Sequence, residues 1–178
     1  GPEKGKDAMI TDLDPMKNFG DHNYFVTSFI TEPILTVMRT KRSLIHFDLE
    51  ELPENTRIDK VYLTVHFEKP LWDTLIDYNQ LDSYMLLPEL VLRQVVEPWK
   101  ENKVTWDNQP QTIDANQVFV PFGIELDANM RTYDVTSLYV PEQEIAAPNY
   151  GMMFRYAQNE DIPGGIQFAS SDHPVEEM

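Results

Sequence analysis

Residues 58 to 68 read Ile58-Asp59-Lys60-Val61-Tyr62-Leu63-Thr64-Val65-His66-Phe67-Glu68, and their alternation decides the fold class. Val61, Leu63, Val65 and Phe67 fall on one side of an extended chain and Tyr62, Thr64, His66 and Glu68 on the other, the period of two of a half-buried strand. Runs of the same kind surround it, at Asp7–Ile10, Tyr24–Phe29, Ser43–Leu49, Glu89–Val95, Gln117–Phe122, Met130–Asp134, Tyr150–Tyr156 and Gly165–Ser170. Thirteen prolines leave few windows of helical length, because a proline ring inside a helix removes a hydrogen bond and clashes with the preceding turn. Only Val135–Val140 has room for a helical turn, which Asp134 or Thr136 would cap and Pro141 would stop. The pattern predicts an all-β chain whose nine or so short antiparallel strands close into a sandwich or barrel.

A chain of 178 residues suits one domain with a core of its own. Gly1-Pro2 reads as the remnant of a cleaved expression tag, so the domain is set at residues 3–178 and any export signal is expected to have been removed. Thirty acidic against fourteen basic residues give a formal charge of -16, which repels a phosphate backbone and excludes nucleic acid as a partner. Without cysteine, neither a disulfide framework nor a thiolate metal site can form. No apolar stretch approaches the length that crosses a bilayer, so membrane insertion is not expected.

Several segments, in order, resemble the DNRLRE-type extracellular domains, a group classified among carbohydrate-binding modules of bacterial and archaeal surface proteins. Arg42-Ser43-Leu44-Ile45-His46-Phe47-Asp48-Leu49 with Leu52-Pro53 is similar to the family's arginine-serine-leucine strand and proline turn. Val95-Val96-Glu97-Pro98-Trp99-Lys100-Glu101, followed by Val104-Thr105-Trp106-Asp107-Asn108-Gln109-Pro110, is the most specific piece. Tyr133 to Leu138, Asn149-Tyr150-Gly151-Met152 and Phe168 to Asp172 complete the order, and Asp7 to Gly20 carries the opening strand and a Pro-x-x-Asn-x-Gly turn. The resemblance implies an antiparallel jelly-roll β-sandwich of nine or ten strands, with at most one short helix, that has no catalytic activity and works outside the cell or on its surface. It also implies that Trp99 and Trp106 pin a crossing loop to the core. A closing strand is expected after Phe168-Ala169-Ser170-Ser171, where this chain ends, which suggests an open slot or strand exchange with another chain.

The expected ligand is a polysaccharide or other glycan. Some family members bind acidic polysaccharides such as alginate, whereas a charge of -16 favours neutral, hydroxyl-rich glycans. The segment Lys69–Pro88 reads as a long inserted loop of the kind that carries function, and in it Trp72, Tyr78 and Tyr84 would stack on sugar rings while Asp73 and Asp77 accept hydrogen bonds from hydroxyls. His46, Tyr62 and His66 would add a polar strip on the outer surface. A structural or adhesion domain that binds protein is the alternative function. A polysaccharide lyase is the third, with tyrosine as proton donor, histidine as base, and Arg39, Lys41, Arg42 or Arg93 neutralising the substrate. No cofactor is required by this reading, although Asp12, Asp14 and Asn18 supply the hard oxygens that a structural calcium ion would take. The in-facing strand positions, expected to be buried, are Ile45, Phe47, Leu49, Val61, Leu63, Val65, Phe67, Trp106, Phe154 and Phe168.

Overall fold

The computed structural model describes residues 5–32, 37–49, 52–53, 56–66, 90–120, 130–140, 148–157 and 164–172. Among them are nine strands: β1 (Gly5–Thr11), β2 (Tyr24–Glu32), β3 (Val37–Phe47), β4 (Tyr62–His66), β5 (Leu90–Val95), β6 (Thr112–Val120), β7 (Met130–Asp134), β8 (Met152–Tyr156) and β9 (Gly164–Ala169). The helix α1 (Thr136–Tyr139) is a single turn. Each of the nine runs read from the sequence overlaps one of these strands. The largest boundary differences are in β3, which starts at Val37 rather than Ser43, and in β6, which starts at Thr112 rather than Gln117.

Seven strands form one antiparallel sheet in the order β6-β5-β8-β3-β2-β9, with β1 also paired to β3, while β4 and β7 form a second pair. Strand β3 is long enough to serve several neighbours. Its first half pairs with β2 from Glu32 to Ser28, its second half pairs with β1, and β8 joins at Ser43–Ile45. Leu63 and Val65 of β4 and Tyr133 of β7 share one core cluster with Phe25, Phe154, Phe168 and Ile166 of the large sheet. This is the β-sandwich expected from the alternation, since each layer presents every second residue to the other.

The large sheet has a second apolar face. Leu44 and Met153 point away from the sandwich core that their neighbours Ile45 and Met152 enter, and they cluster with Ala8, Ile10 and Val95 under Trp99 and Val104 of the loop after β5. Sheet residues are therefore buried on both sides, which explains unbroken runs such as Leu90-Val91-Leu92 where no alternation is visible. Beside α1, the Asp134 carboxylate accepts hydrogen bonds from Thr136 N and from the Lys60 ammonium at 2.8 Å. These bonds hold its pKa down at about 2, and that of Lys60 is raised in turn. The residue at the helix cap itself is Val135, which makes no side-chain cap bond.

Burial matches the expected inward set at Ile45, Leu63, Val65, Phe154 and Phe168, while Val61 and Trp106 are half-buried and Phe67 lies outside the described residues. Phe47 and Leu49 correct the expectation: they are 45% and 39% exposed. The register has not slipped, because Val65 and Ile45 are buried on the predicted side. Instead, the β8 pairing stops at Ile45, and the residue opposite Phe47 on β1 is Gly5, which has no side chain to cover a ring. Leu49 lies beyond the end of the strand. Removing a half-exposed ring from such a position leaves no closed cavity, so Phe47→Ala is expected to lower stability by about 1 kcal/mol. The midpoint of urea unfolding measures this; a loss of about 3 kcal/mol or more would mean that the ring is covered in solution.

Candidate functional site

The residues that carry the family resemblance fold into a set of clamps. Asn18, in the turn after β1, donates through Nδ2 to the carbonyls of Glu101 and Val104, both at 2.7 Å, and its Oδ1 accepts from Gly20 N at 3.3 Å. Gly20 lies so close to the same loop that a Cβ there would sit 2.1 Å from the Glu101 carbonyl oxygen. Glu101 in turn accepts from Asp7 N, and Lys6 donates to the Trp99 carbonyl at 2.8 Å while its ammonium lies 4.5 Å from the centre of the Trp99 ring. Burial pulls the Lys6 pKa down, against the Glu101 charge that raises it.

From the other side, Trp99 Nε1 donates to the Tyr150 carbonyl, Asn149 holds the Leu138 carbonyl at the end of α1, and Arg42 stacks on Trp106 while bonding Gln109. The expected pinning role of Trp99 and Trp106 is thus what the geometry gives. These aromatic rings hold the loop to the sheet, and Trp99 is buried.

The candidate ligand residues divide. Trp72, Asp73, Asp77, Tyr78 and Tyr84 lie outside the described residues, as does the expected position of a closing strand after Asp172. Tyr62 is 60% exposed and shares with Thr64 and His66 the face of β4 turned from the core, where Thr64 bonds Thr132 across the strand pair. His46 follows Leu44 on the face of β3 that looks toward the Trp99 loop, and it also lines the cleft, described below, that Thr64 and His66 line. Tyr62 and His66 are four residues apart, about 13 Å along a strand, too far to act on one substrate atom. The tyrosine-histidine pair required by the lyase reading is not assembled by these residues.

Of the proposed calcium ligands, Asn18 donates to the loop carbonyls and Asp12 Oδ1 accepts from Thr40 N at 3.0 Å. Among the described residues, no group of three or more histidine or acidic side chains is placed to hold a metal ion.

Two places are built differently. The first is on the β2–β3 pair. Ser28 stands directly opposite Lys41, and Arg39 lies two residues further along on the same face, opposite Ile30. Ser28 is fully buried and its Oγ has no hydrogen-bond partner, and neither has the buried Nε of the partly exposed Arg39. On its other side Ser28 is paired with Gly165, which brings no side chain. Orphaned buried polar groups are uncommon in a folded chain, and each one leaves about 1 to 3 kcal/mol of desolvation uncompensated.

The second place is a cleft of about 370 Å³ where the two layers part. Phe25, Ile45, Phe47, Leu63 and Val65 give it apolar walls, and Thr64, His66, Ser170 and Ser171 line it with polar groups. Asp7, also in its wall, is buried and accepts through Oδ2 from Ser171 N at 2.8 Å.

A model of carbohydrate-binding module family 96 matches residues 3–177, nearly the whole chain. This chain belongs to that family. No curated protein matches it significantly. The match spans both the clamped loop and the two unfilled places, so the module's ligand class, carbohydrate, rests on the family and its contacts must be sought where polar or aromatic groups lack partners. Sequence reading named Arg39 only as one of four cations near the strip and placed Phe47 in the core. The signals available were a charged Arg39-Thr40-Lys41-Arg42 run inside a strand and a glycine opposite Phe47, and the second is visible only once the β1 pairing is known.

Proposed function

We propose that the chain is a non-catalytic saccharide-binding module that works outside the cell, of the DNRLRE type, and that the partly exposed Arg39 of β3 takes the carboxylate or sulfate of an acidic polysaccharide. One observation carries the reading: among the described residues the buried Nε of Arg39 lacks a hydrogen-bond partner. A guanidinium fork fits a carboxylate through two parallel hydrogen bonds. The ligand would satisfy groups that the fold leaves open.

The net charge of -16 opposes approach of such a polymer from a distance, but at physiological salt exposed charges are screened beyond about 8 Å, so contact at a part-buried arginine is decided locally.

The experiment is calorimetric titration of the wild type, Arg39→Ala and Arg39→Lys with polyuronates, a sulfated galactan and a neutral glucan. Wild-type binding of an acidic polymer, weakened in Arg39→Ala by about tenfold or more and partly retained in Arg39→Lys, is the expected result. The melting temperature of Arg39→Ala should stay level or rise, because an unsatisfied buried donor has been removed. Equal binding by wild type and Arg39→Ala would refute the assignment.

A further inference from the structure

The cleft where the layers part holds an aromatic ring that the fold leaves uncovered. Phe47 is at the end of β3 on the core side, 45% exposed, with Gly5 opposite it and no β8 partner beside it. The apolar cluster continues beneath it through Ile45, Leu63 and Val65, all of them buried. Burying the exposed part of a ring of this size would be favourable by something on the order of 1 to 2 kcal/mol, so the exposed ring is a standing contact surface. Ser170 and Ser171 line the cleft on one side, His46 on another, and β4 borders it with Thr64 and His66, whose side chains share the face turned from the core.

The charge around this cleft differs from that of the Arg39 face. Asp7, buried in the wall, would repel a second carboxylate at short range. Lys6, the ammonium among the described lining residues, is turned to the Trp99 carbonyl and ring. An anionic sugar therefore has an uncompensated carboxylate to face and no guanidinium to meet. A neutral pyranose has neither problem: its C–H face lies flat on a phenyl ring, and its hydroxyls both donate and accept, which matches the serine hydroxyls. The volume falls at the lower end of the range for small-molecule sites, suited to one or two sugar rings rather than to a long chain.

We infer that this cleft is a second saccharide site, separate from the Arg39 face, which takes a neutral pyranose unit stacked on Phe47. The inference rests on the saccharide-binding reading of the module but not on the Arg39 assignment. Arg39 and Ile45 are six residues apart, about 20 Å along β3, so the two sites are filled independently. A polymer that alternates charged and neutral units, or a branched glycan, would engage both.

The test uses nitrogen-15 chemical-shift mapping of the whole chain, titrated with cellobiose, mannobiose, galactobiose and xylobiose, on wild type, Phe47→Ala, Phe47→Tyr and Arg39→Ala. The expected result is that at least one disaccharide shifts the amides of Phe47, Thr64, His66 and Ser171. Affinity should fall about tenfold or more in Phe47→Ala and be retained in Phe47→Tyr and in Arg39→Ala. Because Phe47→Ala should leave the fold intact, its spectrum away from the cleft provides the internal control. Shifts confined to other surfaces, or cleft shifts of undiminished affinity in Phe47→Ala, overturn the inference. So does silence with all four disaccharides while acidic polymer still binds through Arg39, and that outcome leaves the Arg39 reading standing. Cleft binding without any binding of acidic polymer has the reverse meaning.

Discussion

Gly151→Ala is expected to lower stability by about 2 to 6 kcal/mol, enough to unfold much of a domain whose total stability is of the usual 5 to 15 kcal/mol. Two independent effects add. The backbone at Gly151 has φ of +105°, a region that residues with a Cβ rarely enter, and holding one there costs about 1 to 3 kcal/mol. A methyl group would also stand 2.2 Å from the Ile45 carbonyl oxygen and 2.8 Å from His46 Cβ, which forces the strand end to move at a similar cost. The backbone has little freedom to yield. Gly151 N donates to Asn149 Oδ1, its carbonyl accepts from Val95 N, and the preceding Tyr150 carbonyl holds the Trp99 indole. Urea unfolding of the variant should show a lower midpoint with an unchanged slope. A midpoint equal to wild type would show that this segment relaxes freely and that the clamp around Trp99 is weaker than its geometry suggests.

Phe154→Ala is the second large effect, expected at about 3 to 5 kcal/mol. Phe154 is at the middle of β8, is fully buried, and its ring centre is 4.9 Å from that of Phe168 and 6.3 Å from that of Phe25. Its neighbours on both sides are fixed by strand pairing, to Ser43 on β3 and Leu92 on β5, so they cannot collapse into the space left behind. Phe47→Ala removes the same atoms from the end of β3 and should cost only a fraction as much. Measured side by side, the two variants test whether burial rather than residue type sets the cost. Similar losses would contradict the placement of Phe47 at an open cleft.

The strand content was legible because alternation is a local property. Val61 to Val65 alternates so strictly that its face could be assigned without a partner, and Met130–Asp134 was bounded to the residue. Boundaries failed where the pattern depends on neighbours. The Val37–Arg42 stretch of β3 mixes β-branched with charged residues, and it becomes a strand because β2 pairs with it. Phe47 was misplaced for a related reason: periodicity tells which side a residue faces, but not how far the opposing layer extends.

The candidate sites were less legible still. A buried arginine Nε without a partner among the described residues is a statement about every other side chain nearby, and no local pattern records it. The family motifs, by contrast, were visible in full, yet Asn18, Gly20, Trp99 and Asn149 turn out to join distant parts of the chain rather than to offer groups to a ligand. A motif can identify a fold strongly while saying little about what the fold holds.

The bond from Ser171 N to Asp7 joins residues 164 positions apart, and those from Asn18 to the loop carbonyls span 83 and 86. Closing loops of this size loses chain entropy before any contact compensates it, so folding should be slow for a domain of this length, in the range of milliseconds to seconds. Within this stretch β1 is made before the strand it pairs with, β3, and Asp7 waits until Ser171 has been added. Until then the apolar side chains of β1 and β3 lack the loop and the late strands that cover them.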